Sequence, residues 1–237
     1  MRFTRTLGNT AYYVLFHVPG VNLLALGCAL LLNQKLRGIA LYRTLFYMPS
    51  VTSGVATAVL WIWLFNGQYG VLNSFLRVFG VSGPNWLFDI KWSMNALIIM
   101  SLWGMGNAML IYLAGLQNVP QHLYEAAMVD GASALQRFRH VTVPLLTPTI
   151  FYNLVIGVIA SFQVFTAAFV MTAGGPADST LFYVLYLYRV AFENLRMGYA
   201  AALAWILFVI IIAFTILQFA MARRWVYYEG AGPRGAV

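Results

Sequence analysis

The 237-residue chain is 62% hydrophobic and 8% charged, with a mean hydropathy of +0.77. Soluble domains carry about 25% charged residues, so this chain lacks the polar surface that a water-soluble fold of its size requires. Its formal charge of +8 comes from scattered Lys and Arg without a basic run. That pattern fits positively charged membrane loops, not nucleic-acid binding. A single cysteine, Cys28, excludes an intrachain disulfide and any metal cluster of thiolates.

A helix needs roughly 20 apolar residues to cross the hydrocarbon core. Residues 11–32, 46–65, 93–117, 149–171 and 199–221 meet that length. Backbone groups cannot stay unpaired in lipid, so the expected fold is an all-α integral membrane protein of five transmembrane helices. Residues 222–237 then form a tail. The first span holds His17, near the end that the orientation below places outside, and Lys35, Arg37 and Arg43 crowd the short loop after it.

After the second span, residues 66–92 form a long loop in which Leu72, Phe75, Leu76 and Phe79 recur at helical spacing. That spacing predicts a short amphipathic helix over Val71–Phe79, lying along the interface, with Trp86 and Trp92 in an aromatic belt. Between the third and fourth spans lies a polar insert, residues 118–148. Asn118 and Pro120 mark the start of a helix, which ends where Gly131 follows Asp130. A second short helix is expected from about Ser133 to Val141, with Leu135 and Phe138 on one stripe and Pro144 and Pro148 stopping it. Gly174-Gly175-Pro176 marks a sharp turn after the fourth span. Arg223 and Arg224 follow the last.

Placing the Lys35–Arg43 loop, the insert with Arg137 and Arg139, and the Arg223-Arg224 tail inside satisfies the positive-inside rule. The opposite loops keep Arg77, Lys91, Arg189 and Arg196, partly offset by Asp89, Asp178 and Glu193, so the bias is modest. This orientation puts Arg2 and Arg5 outside, an unfavourable translocated end. One more helix is therefore expected to precede Met1.

Four of the five spans contain no ionisable residue, whereas proton- and ion-driven carriers place such groups at the midplane. No G-x-x-x-x-G-K-[ST] phosphate loop, Ser-His-Asp arrangement or H-E-x-x-H pattern occurs. No catalytic residue, metal site or cofactor is expected, so energy for any transport must come from outside the chain.

In the insert, Glu125-Ala126-Ala127 is followed, after three intervening residues, by Gly131 and then, after nine more, by Val141-Thr142-Val143-Pro144. This spacing resembles the EAA loop of ABC-importer permeases. The likeness extends to Leu45-x-x-x-Pro49-Ser50-Val51, Trp61-x-Trp63-Leu64-Phe65, Gly70-Val71-Leu72-Asn73, Gly174-Gly175-Pro176, Gly198-Tyr199-Ala200-Ala201-Ala202 and the tail Trp225-Val226-Tyr227-Tyr228. Together these resemble the carbohydrate-uptake permeases of the maltose, lactose and glycerol-3-phosphate type, over nearly the whole chain.

The resemblance implies a type I ABC-importer core in residues 1–221, one helix short of the usual six, in a bacterial or archaeal plasma membrane. It implies a cytoplasmic helix–turn–helix coupling loop seated on a separate ATP-binding cassette ATPase dimer. Glu125, Ala126, Ala127, Asp130, Gly131, Phe138 and Pro144 are the coupling positions. It further implies a second homologous permease, an extracytoplasmic solute-binding protein, and a substrate path for a sugar or polyol. By motif, that path falls on Met100, Gly104, Asn107, Gly157, Ala160 and Ser161. Gln163, which with Ser161 flanks Phe162, is a further polar candidate. Small and polar residues in spans also pack helices together, a second role open for these positions. The competing classes are an ATP-independent carrier or channel, which predicts midplane charges or inverted repeats, and a non-transporting assembly subunit, which needs no docking insert.

Overall fold

The computed structural model describes residues 2–34 and 37–227. Lys35 and Tyr228, used above for orientation and for the tail motif, lie outside the described residues. Within them the chain is helical, with no strand. Helix α1 (Arg2–Leu32) runs unbroken through Pro19. It is followed by α2 (Ile39–Val51), α3 (Gly54–Leu64), the short α4 (Val71–Val78), α5 (Ser93–Trp103) and α6 (Gly106–Gln117). The insert supplies α7 (Gln121–Val129) and α8 (Ala134–Arg137). Then come α9 (Val143–Phe162), α10 (Thr166–Met171), α11 (Tyr183–Tyr188) and α12 (Met197–Ala222). Three helices are long and apolar enough to cross a membrane: Arg2–Leu32, Ala134–Phe162 and Met197–Ala222. Two bent pairs, α2 with α3 and α5 with α6, bring the total to as many as five.

The bends depart from the sequence expectation. Residues 46–65 are not one straight helix, because α2 and α3 meet at 99°. Pro49 has no N–H for the helical ladder, and Thr52 and Ser53 are extended, at ψ 140° and 134°. Residues 93–117 bend by 44° at Gly104-Met105, where the hydrogen bonds tighten to i→i−3. The expected span 149–171 is interrupted after Phe162, with Phe165 outside helical geometry at φ −133°.

The second insert helix also differs. It does not stop at Pro144 but runs into α9 through a π turn, Phe138–Thr142. A proline excludes the i→i−4 bond at its own position and crowds the carbonyl one turn back. The ladder widens there, so that the Val143 N–H donates to the Phe138 carbonyl.

Helix α1 is central, packing against α5, α6, α9 and α11. Three apolar cores surround it. One joins α5 to the α4 loop and α10 around Phe65, Leu97 and Met171. A second joins α9, α11 and α12 around Phe162, Tyr183 and Leu203. The third joins α6 and α9 around Met109, Tyr112 and Leu146 at the insert end. Trp86, expected in an interfacial belt, is instead buried, and its indole donates to Asn73 Oδ1 at 2.7 Å. The Asn73 amide in turn donates to the Gly67 and Pro84 carbonyls, so one buried side chain ties the 66–92 loop to α4.

Candidate functional site

The insert folds as two short helices with a defined turn. Pro120 holds the residue before α7 extended, and no side chain caps it, so the Asn118 amide does not take the capping role expected of it. At the far end Gly131 adopts φ +77°. The Gly131 N–H donates to the Met128 carbonyl and the Ala132 N–H to the Ala127 carbonyl. This pair of bonds is a Schellman closure, which needs a left-handed residue and favours glycine there. Ser133 then opens α8 with a capping box shared with Gln136.

Tyr124 Oη lies 2.8 Å from Thr142 Oγ1, fastening α7 to the start of α9. Glu125, Ala126, Asp130 and Gly131 are exposed, whereas Ala127, Phe138 and Pro144 are half-buried. Among the described residues neither Glu125 nor Asp130 has an ion-pair partner. Beside them Val129 is 87% exposed and Leu135 75%, so Leu135 and Phe138 differ in burial despite their shared stripe. The surface offered is an apolar patch edged by two free carboxylates.

The second feature is an open cavity of about 360 Å³ where all three helix interruptions meet. The α2–α3 break contributes Pro49, Ser50, Thr52, Gly54 and Thr57. The α5–α6 bend contributes Met100, Ser101, Trp103, Gly104 and Asn107, and the break before α10 contributes Val164, Phe165, Thr166 and Ala167. Tyr13 of α1 closes one wall. Behind that wall His17 stacks on Tyr13, with Nδ1 2.7 Å from Ser101 Oγ. Every lining residue is uncharged. The lining combines hydroxyls, one carboxamide and aromatic faces, with peptide groups that the breaks release from the helical ladder. Non-helical backbone at membrane depth persists only when buried in protein or lining a polar cavity.

Of the path residues read from sequence, Met100, Gly104 and Asn107 come together at this cavity. Gln163 is exposed at the break beside Val164 and Phe165. Gly157 and Ser161 lie elsewhere: Ser161 is buried and donates to the Gly157 carbonyl at 2.6 Å, while Gly157 faces Val18 of α1. Sequence reading placed none of Tyr13, Ser50, Thr52, Thr57, Trp103 and Thr166 in the path. A signal for part of this set was present in Pro49-Ser50-Val51-Thr52-Ser53-Gly54, a helix-breaking polar run within an apolar span.

Broken membrane helices around a polar cavity, with a protruding helical insert between two spans, define a multi-pass membrane permease. The model of the binding-protein-dependent transport system inner membrane component family matches residues 22–227, and the chain belongs to that family. It is 44% identical over 232 residues to the probable ABC transporter permease protein YesP of Bacillus subtilis (strain 168), covering 96% of this chain and 75% of that one. It is 36% identical over 229 residues to the lactose transport system permease protein LacF of Rhizobium radiobacter, covering 94% and 76%. Among solved structures, a bacterial ABC transporter involved in the import of the acidic polysaccharide alginate superposes with a TM-score of 0.83 at 27% identity, covering 94% of this chain and 80% of that one. The chain is thus a transport component of the inner membrane.

Proposed function

We propose that this chain forms half of the translocation path of an ATP-driven, binding-protein-dependent importer for a neutral sugar or polyol. A second, homologous permease supplies the other half, and an extracytoplasmic binding protein delivers the solute. ATP is hydrolysed on a separate ATPase dimer seated on the insert at the cytoplasmic face. The observation that carries the reading is the cavity at the three helix breaks, lined by hydroxyls, an amide and aromatic rings with no charge. Sugars are recognised by such sets, with hydroxyls paired to polar groups and ring faces laid on aromatic ones. The lactose permease relative supports the class. The alginate importer handles an acidic polymer, but no basic side chain lines the cavity of this chain.

Gly104 and Asn107, with Gln163 at the rim, belong to the path in this reading, while Gly157 packs α9 against α1 and Ser161 bonds back within α9. In the insert, Glu125 pairs with a basic group of the ATPase and Asp130 lies at the rim of the same contact. Ala126, Ala127 and Gly131 allow the partner's backbone to approach closely, and Phe138 and Pro144 hold the insert on α9. The test is co-expression with the neighbouring transport genes, purification, and uptake into vesicles. The ATPase and second permease should co-purify, and neutral sugars should outcompete uronic acids for uptake. Glu125→Lys should release the ATPase at moderate salt. Full ATPase retention in that variant, or a preference for acidic sugars, refutes the corresponding part.

A further inference from the structure

The hydroxyls that line the cavity can be sorted by where their protons go. A hydroxyl carries one proton and two lone pairs, and a carbonyl oxygen can only accept. Ser50 Oγ donates to the Tyr47 carbonyl at 2.7 Å, and Thr52 Oγ1 donates to the Met48 carbonyl at 3.2 Å, both back along α2. Ser101 Oγ donates to the Ile98 carbonyl at 2.6 Å. All three line the cavity, and each has committed its only proton to its own segment. What they keep for a further partner is lone pairs.

Ser101 shows the consequence within the protein. His17 Nδ1 lies 2.7 Å from the same Oγ, and the Ser101 proton is already on the Ile98 carbonyl side, so the proton between them belongs to Nδ1. Ser101 therefore accepts from His17. Ser50 and Thr52 accept no hydrogen bond from the described residues, which leaves both of their lone pairs open. They stand together at the C-terminal end of α2, where it breaks from α3. No side chain caps α3, and its first backbone bond runs from the Thr57 N–H to the Ser53 carbonyl. The Gly54 N–H, on the cavity wall, is thus outside the ladder and free to donate. The break offers side-chain acceptors beside a peptide donor, and a hydroxyl is the group that answers both.

We propose that the α2–α3 break is a subsite selecting a solute hydroxyl that acts as a hydrogen-bond donor, received by Ser50 and Thr52. An ether, keto or carboxylate oxygen at that position would set lone pairs against lone pairs with no proton between them. The proposal rests on the reading of the cavity as the path of a neutral sugar or polyol and narrows it to solutes with a donating hydroxyl at this point.

The experiment uses the whole transport complex in vesicles. Uptake of glucose, galactose, mannose, xylose and maltose is measured, and the sugar taken up best is then challenged with its own monodeoxyfluoro derivatives as competitors. Fluorine keeps the size of the hydroxyl and accepts weakly, but it cannot donate. In the unmodified complex, one position of the series should compete less well than the parent sugar by about tenfold or more. In Ser50→Ala, and in Thr52→Val, which keeps the shape and removes the oxygen, discrimination at that position should fall to about threefold or less. Discrimination at the other positions should not change. Should one variant fail to assemble, the other decides alone. Fluoro derivatives that all compete as well as the parent sugar refute the subsite, as does a pattern that the variants leave intact, and in both cases the path reading stands. Uptake of none of these sugars overturns the path reading and the subsite with it. The proton assignment is read separately and without solute. The nitrogen chemical shifts of His17, identified by difference against His17→Gln, should show a protonated Nδ1, and a bare Nδ1 refutes the assignment of protons along the cavity wall.

Discussion

The crossing of α2 over α6 gives a substitution whose sign can be worked from geometry. A Cβ added at Gly106 would stand 2.8 Å from the Phe46 carbonyl oxygen, 2.9 Å from Ser50 Oγ and 2.9 Å from Tyr47 Cα. Two of those three atoms are backbone, so no rotamer change relieves the contact and α2 must retreat from α6. Overpacking of this kind costs about 1–3 kcal/mol. It outweighs the gain of up to about 1 kcal/mol that alanine brings to a helix interior. Gly27, near the end of α1, is the control, because a Cβ there meets nothing within 4 Å. Gly106→Ala should therefore lower thermal stability and Gly27→Ala should leave it unchanged or raise it. Both are measured in detergent-solubilised complex by intrinsic fluorescence at one scan rate, since membrane complexes unfold irreversibly. Ser50 and Asn107 flank the crossing and line the cavity, so Gly106→Ala should also weaken uptake affinity several-fold. Equal stability of the two variants would refute the argument that α2 and α6 are packed at backbone contact.

Three further outcomes follow from the same structure. Gly131→Ala should cost about 1–2 kcal/mol through the left-handed conformation alone, because nothing lies within 4 Å of its added Cβ. Gly131→Asn should recover part of that loss, and comparison of the two by thermal shift checks it. Trp86→Phe leaves Asn73 Oδ1 buried without its donor and should destabilise the 66–92 loop by about 1–3 kcal/mol. Faster cleavage at Arg77 and Lys91 by trypsin in outward-facing vesicles is the readout. Asn107→Leu removes the cavity's one carboxamide and should raise the half-saturating sugar concentration without altering ATPase retention, as measured by uptake and co-purification.

The membrane class and the left-handed turn at Gly131 were legible because each is a local property. Twenty apolar residues in a row, or a glycine after a helical Asp, carry their meaning without tertiary context. The surface helix α4 was legible for the same reason, through the spacing of Leu72, Phe75 and Leu76. The bends were not. A membrane span is apolar on every face, so its periodicity does not report where it breaks, and Gly104 reads equally as a packing residue or a hinge. Trp86 misled because an aromatic near a span end suits an interfacial belt, and the buried Asn73 that receives its indole is apparent only once the loop has folded. Ser161 was left open in a related way. A hydroxyl in a span can serve a solute or its own helix, and here it bonds the Gly157 carbonyl one turn back.

What the breaks share explains how so apolar a chain can build a polar cavity without an intramembrane charge. Each interruption frees peptide N–H and C=O groups from the helical ladder, and the three interruptions face one cavity. A site assembled from hydroxyls, one carboxamide and freed backbone groups needs no intramembrane charge, consistent with the uncharged lining. In the proposed reading the force arrives from the insert, so the site needs no energy-coupling ion within the lipid. The freed peptide groups and hydroxyls can pair with the hydroxyls of a neutral solute, whereas a solute carboxylate entering this lining would find no cationic side chain. Converting the cavity to an anion path should therefore require an added cation. Asn107→Arg is the direct trial: uptake of the neutral sugar should fall and uptake of its uronic acid should rise, and uronic acid uptake no higher than in the parent complex would refute the reasoning.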